Sequence, residues 1–140
     1  MGLCRRFDAP PRLIAHLTLV HDTAVSLLER LARVYPALQV DSDAILFGAA
    51  THDIGKTVHW EELSAPGKLH ERRGVELLIE AGIPRQQARF AWTHGNWNDG
   101  DAITLEDLLV ALADNCWKGK RVAELEDLVA EQLSTQTEEP

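Results

Sequence analysis

Apolar residues recur at three- and four-residue steps through most of the chain. Leu13, Leu17, Val20, Ala24, Leu27, Leu28 and Leu31 form one such stripe, which predicts an amphipathic helix over about 12–34, ended by Pro36. Asp41 or Ser42 is placed to cap a second helix through "DAILFGAATHD", with Gly55 as its C-terminal stop. "VHWEELSAPGKL" carries Pro66 and Gly67 and reads as a loop with room for one turn. "HERRGVELLIEA" is helical and closes on Gly82, and Pro84 then opens a short helix through "RQQARFAWT". "GNWNDGD" is a turn-rich loop. Thr104, with Asp107 three residues on, forms a capping-box pattern before "LEDLLVALADNCW". A last helix over about 121–133 leads into a polar tail, 134–140, expected to fray. No stretch alternates with the period of a strand, and no repeat is present. The expectation is an all-α domain, single over 1–140, with six or seven helices and a core over about 12–120.

Composition agrees with a packed domain. A chain of 140 residues is long enough to bury a core, and 45% hydrophobic with 26% charged residues is globular rather than disordered composition. No apolar run approaches the roughly 18–20 residues of a membrane helix. Pro10 and Pro11 stand where a leader peptide would carry its apolar core, so export is not expected. The start MGLCRR has Arg6 where N-myristoylation calls for Ser or Thr. Cys4 and Cys116 have no CxxC spacing, which argues against a disulfide framework or a thiolate zinc site and for a reducing cytoplasm.

The formal charge of −8 is unevenly spread. Residues 122–140 hold six acids (Glu124, Glu126, Asp127, Glu131, Glu138, Glu139) and no Lys or Arg, leaving 16 acids against 14 bases before them. A nearly neutral body with an acidic tail is poorly suited to gripping duplex nucleic acid, where phosphate contacts dominate affinity.

Chemistry concentrates in six histidines (His16, His21, His52, His59, His70, His94) and two aspartates that end apolar helical runs, Asp53 and Asp114. A lone histidine on an apolar face is more often a hydrogen-bonded core residue than a ligand. Several, together with carboxylates near helix ends, fit the way helix bundles assemble metal sites. Imidazole plus carboxylate without thiolate favours Fe, Mn, Co, Ni or Zn over soft-metal chemistry.

His16, the pair "HD" at 52–53 within "HDIGK", and Asp114 in "LADN" resemble the HD-domain superfamily of metal-dependent phosphohydrolases, over about residues 12–120. The resemblance implies an all-α fold and a divalent metal held by His16, His52, Asp53 and Asp114. His16 and His21 are both followed four residues later by valine, as in the family's first helix. His16 has Ala24, Leu27 and Leu28 at the apolar packing positions, whereas His21 has Glu29 there, so His16 is preferred as the ligand. His21 lies about 140° further around the helix, where it could line the pocket. Members with two ions carry two more histidines between the HD pair and the last aspartate, and their HD aspartate bridges both ions. His70 and His94 stand in that order, so one or two ions are implied, with Asp53 shared in the second case.

The resemblance also implies hydrolysis of a small phosphorylated substrate, nucleotides included, by metal-activated hydroxide. Asp53 and Lys56 are the candidate catalytic residues; Lys56, one turn beyond His52, could meet a phosphate oxygen or could simply suit a helix C-terminus. Lys56, His21, His59 and Arg73 are the candidate substrate contacts. Arg72, Lys118, Lys120 and Arg121 are weighed in the same way and read first as solvated. Glu71 could orient a ligand or accept a proton. Trp92, Trp97 and Trp117 read as core or pocket wall.

Two departures narrow the class. The paired "HH" and the "GYP" string of the cyclic-dinucleotide branch are absent, so that substrate is not implied. The long C-terminal helical extension of large nucleotide triphosphohydrolases is absent too, which suggests a small stand-alone hydrolase. A di-iron oxygenase, which would use the same six ligands, and a non-catalytic nucleotide-binding sensor remain open at this stage.

Overall fold

A computed structural model describes residues 2–63, 67–98 and 102–137. Its elements, in order, are α1 (Gly2–Arg6), α2 (Pro11–Val34), α3 (Ser42–Thr51), two 3-10 turns (Ile54–Thr57 and Trp60–Leu63), α4 (Leu69–Glu80), α5 (Arg85–Ala88), α6 (Phe90–Thr93), α7 (Leu105–Trp117) and α8 (Ala123–Thr137). The all-α class holds, with no strand among the described residues. The single helix expected over 85–93 is two short ones meeting at Arg89, whose backbone stays right-handed. Taking these as one, and adding the unforeseen α1, the described residues hold seven helices.

Local signals set most boundaries. Pro11 fills the first turn of α2, where its missing N–H costs nothing. Asp41 caps α3, its carboxylate accepting the Ala44 N–H at 3.1 Å. Gly82 closes α4 at φ +92°. The capping box on α7 is present, with Thr104 and Asp107 bonded reciprocally. α8 runs on to Thr137, past the expected end at 133, with its polar residues on solvated faces. Ser64–Pro66 of the expected loop, 99–101 of the turn-rich loop, and Glu138, Glu139 and Pro140 of the tail lie outside the described residues.

One boundary differs in an informative way. α3 stops at Thr51, and the chain turns through His52 and Asp53 into a 3-10 turn instead of running helical to Gly55. Gly55 does not serve as a left-handed stop. It lets this turn press against α4: a Cβ there would lie 1.9 Å from the His70 carbonyl oxygen.

α2, α3 and α7 pack on one another, α4 packs on α6 and the Ile54–Thr57 turn, and α8 packs on α7. Two apolar clusters result. One gathers Val20, Ala24, Ile45, Ala49, Phe90, Leu105, Leu109 and Leu125. The other gathers Cys4, Leu13, Leu17, Ile54, Leu78, Ala88 and Ala91. His52 and Asp53 lie in sequence between Ala49 of the first and Ile54 of the second, so packing on both sides fixes them. No helix among the described residues is long and apolar enough to cross a membrane.

Candidate metal centre

Five stretches of chain converge on Asp53. α2 presents His16, the end of α3 presents His52, the first turn of α4 presents His70, the end of α6 presents His94, and the last turn of α7 presents Asp114. Asp53 Oδ2 lies 3.0 Å from His16 Nε2 and 3.5 Å from His52 Nε2. Its other oxygen, Oδ1, lies 3.2 Å from His70 Nε2 and 3.3 Å from His94 Nε2. Asp114 Oδ1 joins the first group, 3.4 Å from His16 Nε2 and 3.3 Å from His52 Nε2. One donor atom from each of His16, His52, Asp53 and Asp114 lies within 4.8 Å of the others, and the same is true of Asp53, His70 and His94.

The ring orientations are fixed from behind. His52 Nδ1 donates to the Ala49 carbonyl at 2.8 Å and His94 Nδ1 to the Phe90 carbonyl at 3.1 Å. A carbonyl only accepts, so these Nδ1 atoms carry the hydrogen and a neutral ring turns its Nε2 lone pair forward. His70 Nδ1 is 2.6 Å from Glu62 Oε1 and is held the same way. Each forward lone pair then faces a carboxylate oxygen. That arrangement is repulsive unless a proton or a cation lies between them.

Whether a cation fits is answered by unpaired atoms. His16 Nε2, His52 Nε2 and Asp114 Oδ1 are buried and make no hydrogen bond. Their mutual contacts are short but lack hydrogen-bond alignment, and buried polar atoms are seldom left in this state. A metal ion would satisfy all three at once. Without one, protons must fill the role. Burial pulls the His16 imidazolium down, yet Asp114 and Asp53 outweigh it and push its pKa up to about 9. His52 is fully buried, and Asp53 and Asp114 raise it against that cost. Burial would raise the carboxyls of Asp53 and Asp114, but the surrounding imidazoles hold both well below the usual carboxylate range.

The other candidate residues divide. Lys56 Nζ lies 3.3 Å from Asp53 Oδ2, and Lys118 Nζ lies 3.4 Å from Asp114 Oδ2. Both line an open cavity of about 660 Å³ above the histidines, as do Lys68, Lys120, Glu71 and Trp97. The structure does not bring the remaining three to the cluster. His21 pairs with its neighbour Asp22 at 3.2 Å on an outer face of α2. His59 meets Glu61 at 3.3 Å, and Arg73 meets Glu76 and Glu80 at 3.6 Å; both line a neighbouring groove beside Trp92. For His21 the reason is geometric: five residues carry it about 140° round α2 from His16.

The residue that sequence reasoning missed is Glu62. Its buried carboxylate takes the Leu69 N–H at 3.1 Å, the His70 N–H at 3.0 Å and the His70 ring. It therefore caps α4, whose own N-cap residue Lys68 offers no side-chain bond, while holding a candidate ligand. "HWEEL" has no periodicity that would single out Glu62 from Glu61.

The family model of the HD domain matches residues 13–117 of this chain, a span that includes all six converging residues. The chain belongs to the HD-domain family. At the level of the superfamily this means metal-dependent phosphohydrolases, and HD domains bind divalent metals, as the paired His/Asp clusters here are able to do. No solved structure matches the chain.

Proposed function

We propose that this HD domain is a phosphohydrolase with a two-ion centre, cleaving a phosphoester of a small phosphorylated compound, nucleotides included. The observation that carries the reading is the division of Asp53: one carboxylate oxygen faces His16 and His52, the other faces His70 and His94. A carboxylate so placed can serve two cations, with Asp114 completing the first set. Divalent ions bound there supply Lewis acidity toward phosphoryl oxygens and bring the pKa of bound water toward neutrality.

The chain's own groups do the rest. The Nδ1 anchors fix the tautomer and the aim of the imidazoles, so little reorganisation is needed as charge develops. Lys56 and Lys118, held beside the two carboxylates, offer ammonium donors to phosphate oxygens. Lys68 and Lys120 add positive charge around the cavity, which offsets the −8 of the whole chain where an anion must approach. Glu71, buried and held by Asn96 Nδ2 at 3.0 Å, brings a carboxylate to the same cavity, within reach as a proton acceptor.

The test is elemental analysis of protein purified without chelator, alongside hydrolysis of a panel of phosphomonoesters, read as phosphate, and of phosphodiesters, read as monoester and alcohol. Two ions per chain with hydrolysis is the expected result. Oxygen uptake with an iron pair and no hydrolysis would replace the reading by an oxygenase. Full metal loading with neither activity would leave a binding module.

A further inference from the structure

A second, smaller cavity of about 390 Å³ adjoins the metal cluster on the His16 side. Leu13, Ala15, Leu19, Leu63 and Trp117 give it an apolar side, and Arg12 and His16 also border it. Lys56 and Lys118 line this cavity and the larger one alike, so the two cavities meet at the lysine pair. The Trp117 ring stands edge-on to His16, with centroids 4.9 Å apart, which places the apolar wall directly against a proposed ligand.

Leu13 and Leu63 belong to the packed core, but packing does not account for Leu19 and Trp117. The core stripe of α2 is Leu13, Leu17, Val20 and Ala24; Leu19 lies off it and is 44% exposed. Trp117, the last residue of α7, is 40% exposed. Both are large apolar side chains left open to water on the rim of one cavity, beside cations. A cavity of this size falls in the range of small-molecule sites, about 300–1,000 Å³.

We propose that the smaller cavity holds the alcohol portion of the substrate, and that this portion is apolar, aryl or arylalkyl. The proposal rests on the hydrolase reading. The phosphoryl group then lies over the cluster between Lys56 and Lys118, and the organic group points away past His16 to Trp117 and Leu19. Hydrolysis forms a bond from a water oxygen to phosphorus and breaks the bond from phosphorus to the alcohol oxygen. The alcohol takes up a proton and leaves through the apolar cavity, and phosphate stays with the cations.

The test compares 2-phenylethyl phosphate with ethyl phosphate on the metal-loaded protein. Both are primary alkyl esters, so leaving-group acidity hardly differs and only the apolar contact changes. The phenylethyl ester is expected to have the higher kcat/KM by at least about tenfold, since filling a hydrophobic pocket is worth about 10–200-fold per added group. Trp117→Ala and Leu19→Gln are each expected to bring the ratio toward one. Calorimetric binding of the two matching phosphonates, which cannot be hydrolysed, gives a readout independent of turnover and should show the same order. Equal kcat/KM and equal phosphonate affinity would overturn the inference and leave the hydrolase reading standing. If neither ester is cleaved, monoester hydrolysis fails, and an unselective phosphonate isotherm would overturn the apolar subsite as well. A phosphonate preference that both variants retain would place the organic group elsewhere and also overturn it.

Discussion

Glu62 Oε1 lies 2.6 Å from Nδ1 of His70 and also accepts that residue's backbone N–H at 3.0 Å. One oxygen therefore fixes both the start of α4 and the direction in which the His70 ring faces Asp53. Partners of this kind typically account for about 10–100-fold in metal affinity. Glu62→Gln is expected to weaken the second ion by that factor and leave the first, on His16, His52 and Asp114, in place. Titration of chelated protein with Mn²⁺ would read two affinities in the wild type, with only the weaker step shifted in the variant. A variant that loses thermal stability in chelator yet keeps both affinities would make Glu62 a helix cap and nothing more.

Asp53 has a different expected signature, because both clusters use it. Asp53→Ala should leave close to no tightly held ion, whereas His70→Ala should leave about one. Elemental analysis after desalting distinguishes these counts. One ion in both variants would mean that the two halves of the cluster are not joined through Asp53.

Much of this site could be read from sequence because each converging side chain breaks a local apolar pattern. His52 and Asp53 end "AILFGAAT", Asp114 ends "LLVALA", and His70 and His94 open and close helices in a distinctive order. Helix periodicity and caps were equally legible, as Asp41, Thr104 and Gly82 illustrate. Contacts across the fold were not legible. Glu62 acts on a residue eight positions away through a loop with no period, and Gly55 matters because α4 presses against it. His21, His59 and Arg73 have suitable chemistry, but which groove such a residue meets depends on how the elements pack, which composition does not encode.

Gly55 yields a packing prediction. A Cβ at this position would lie 1.9 Å from the His70 carbonyl oxygen and 2.8 Å from the Gly74 nitrogen, both backbone atoms that cannot swing aside. Gly55→Ala must push the Ile54–Thr57 turn away from α4, at a cost of about 1–3 kcal/mol or more. Because Asp53 and His70 sit at the two ends of that contact, metal binding should suffer with stability. Denaturant unfolding with and without metal would show this as a loss larger in the metal-bound form. Equal losses in both forms would separate the packing from the site.

Asp107 is fully buried, yet every approach to it is a donor. It accepts from Arg89 Nε at 3.0 Å and Thr93 Oγ1 at 2.8 Å, while its other oxygen takes the Thr104 N–H and hydroxyl. The carboxylate ties the start of α7 to α5 and α6, immediately before His94. Removing one member of a buried charged network costs about 3–5 kcal/mol, and the partial exposure of Arg89 places Asp107→Ala toward the lower end. Chemical denaturation measures it, and a loss under about 1 kcal/mol would show that the network contributes little.

Proton and metal compete for His16, and the sign of that competition sets a pH dependence. In metal-free protein the His16 pKa is raised from 6.5 to about 9. Its contribution to stability is therefore fully present below about 6.5 and is lost as pH rises through about 9. Asp53 and Asp114 are lowered, so their contribution is present above the ordinary carboxylate range and is lost only on acidification. Metal-free protein should thus weaken between pH 6.5 and 9. A metal ion needs the deprotonated imidazole, so its affinity rises over the same interval. The difference in Tm between Mn²⁺-loaded and chelated protein is expected to widen steadily from pH 6.5 to 9, and His16→Gln should flatten that slope. A gap constant with pH in the wild type would mean that His16 carries no proton for the metal to displace, which would overturn its raised pKa.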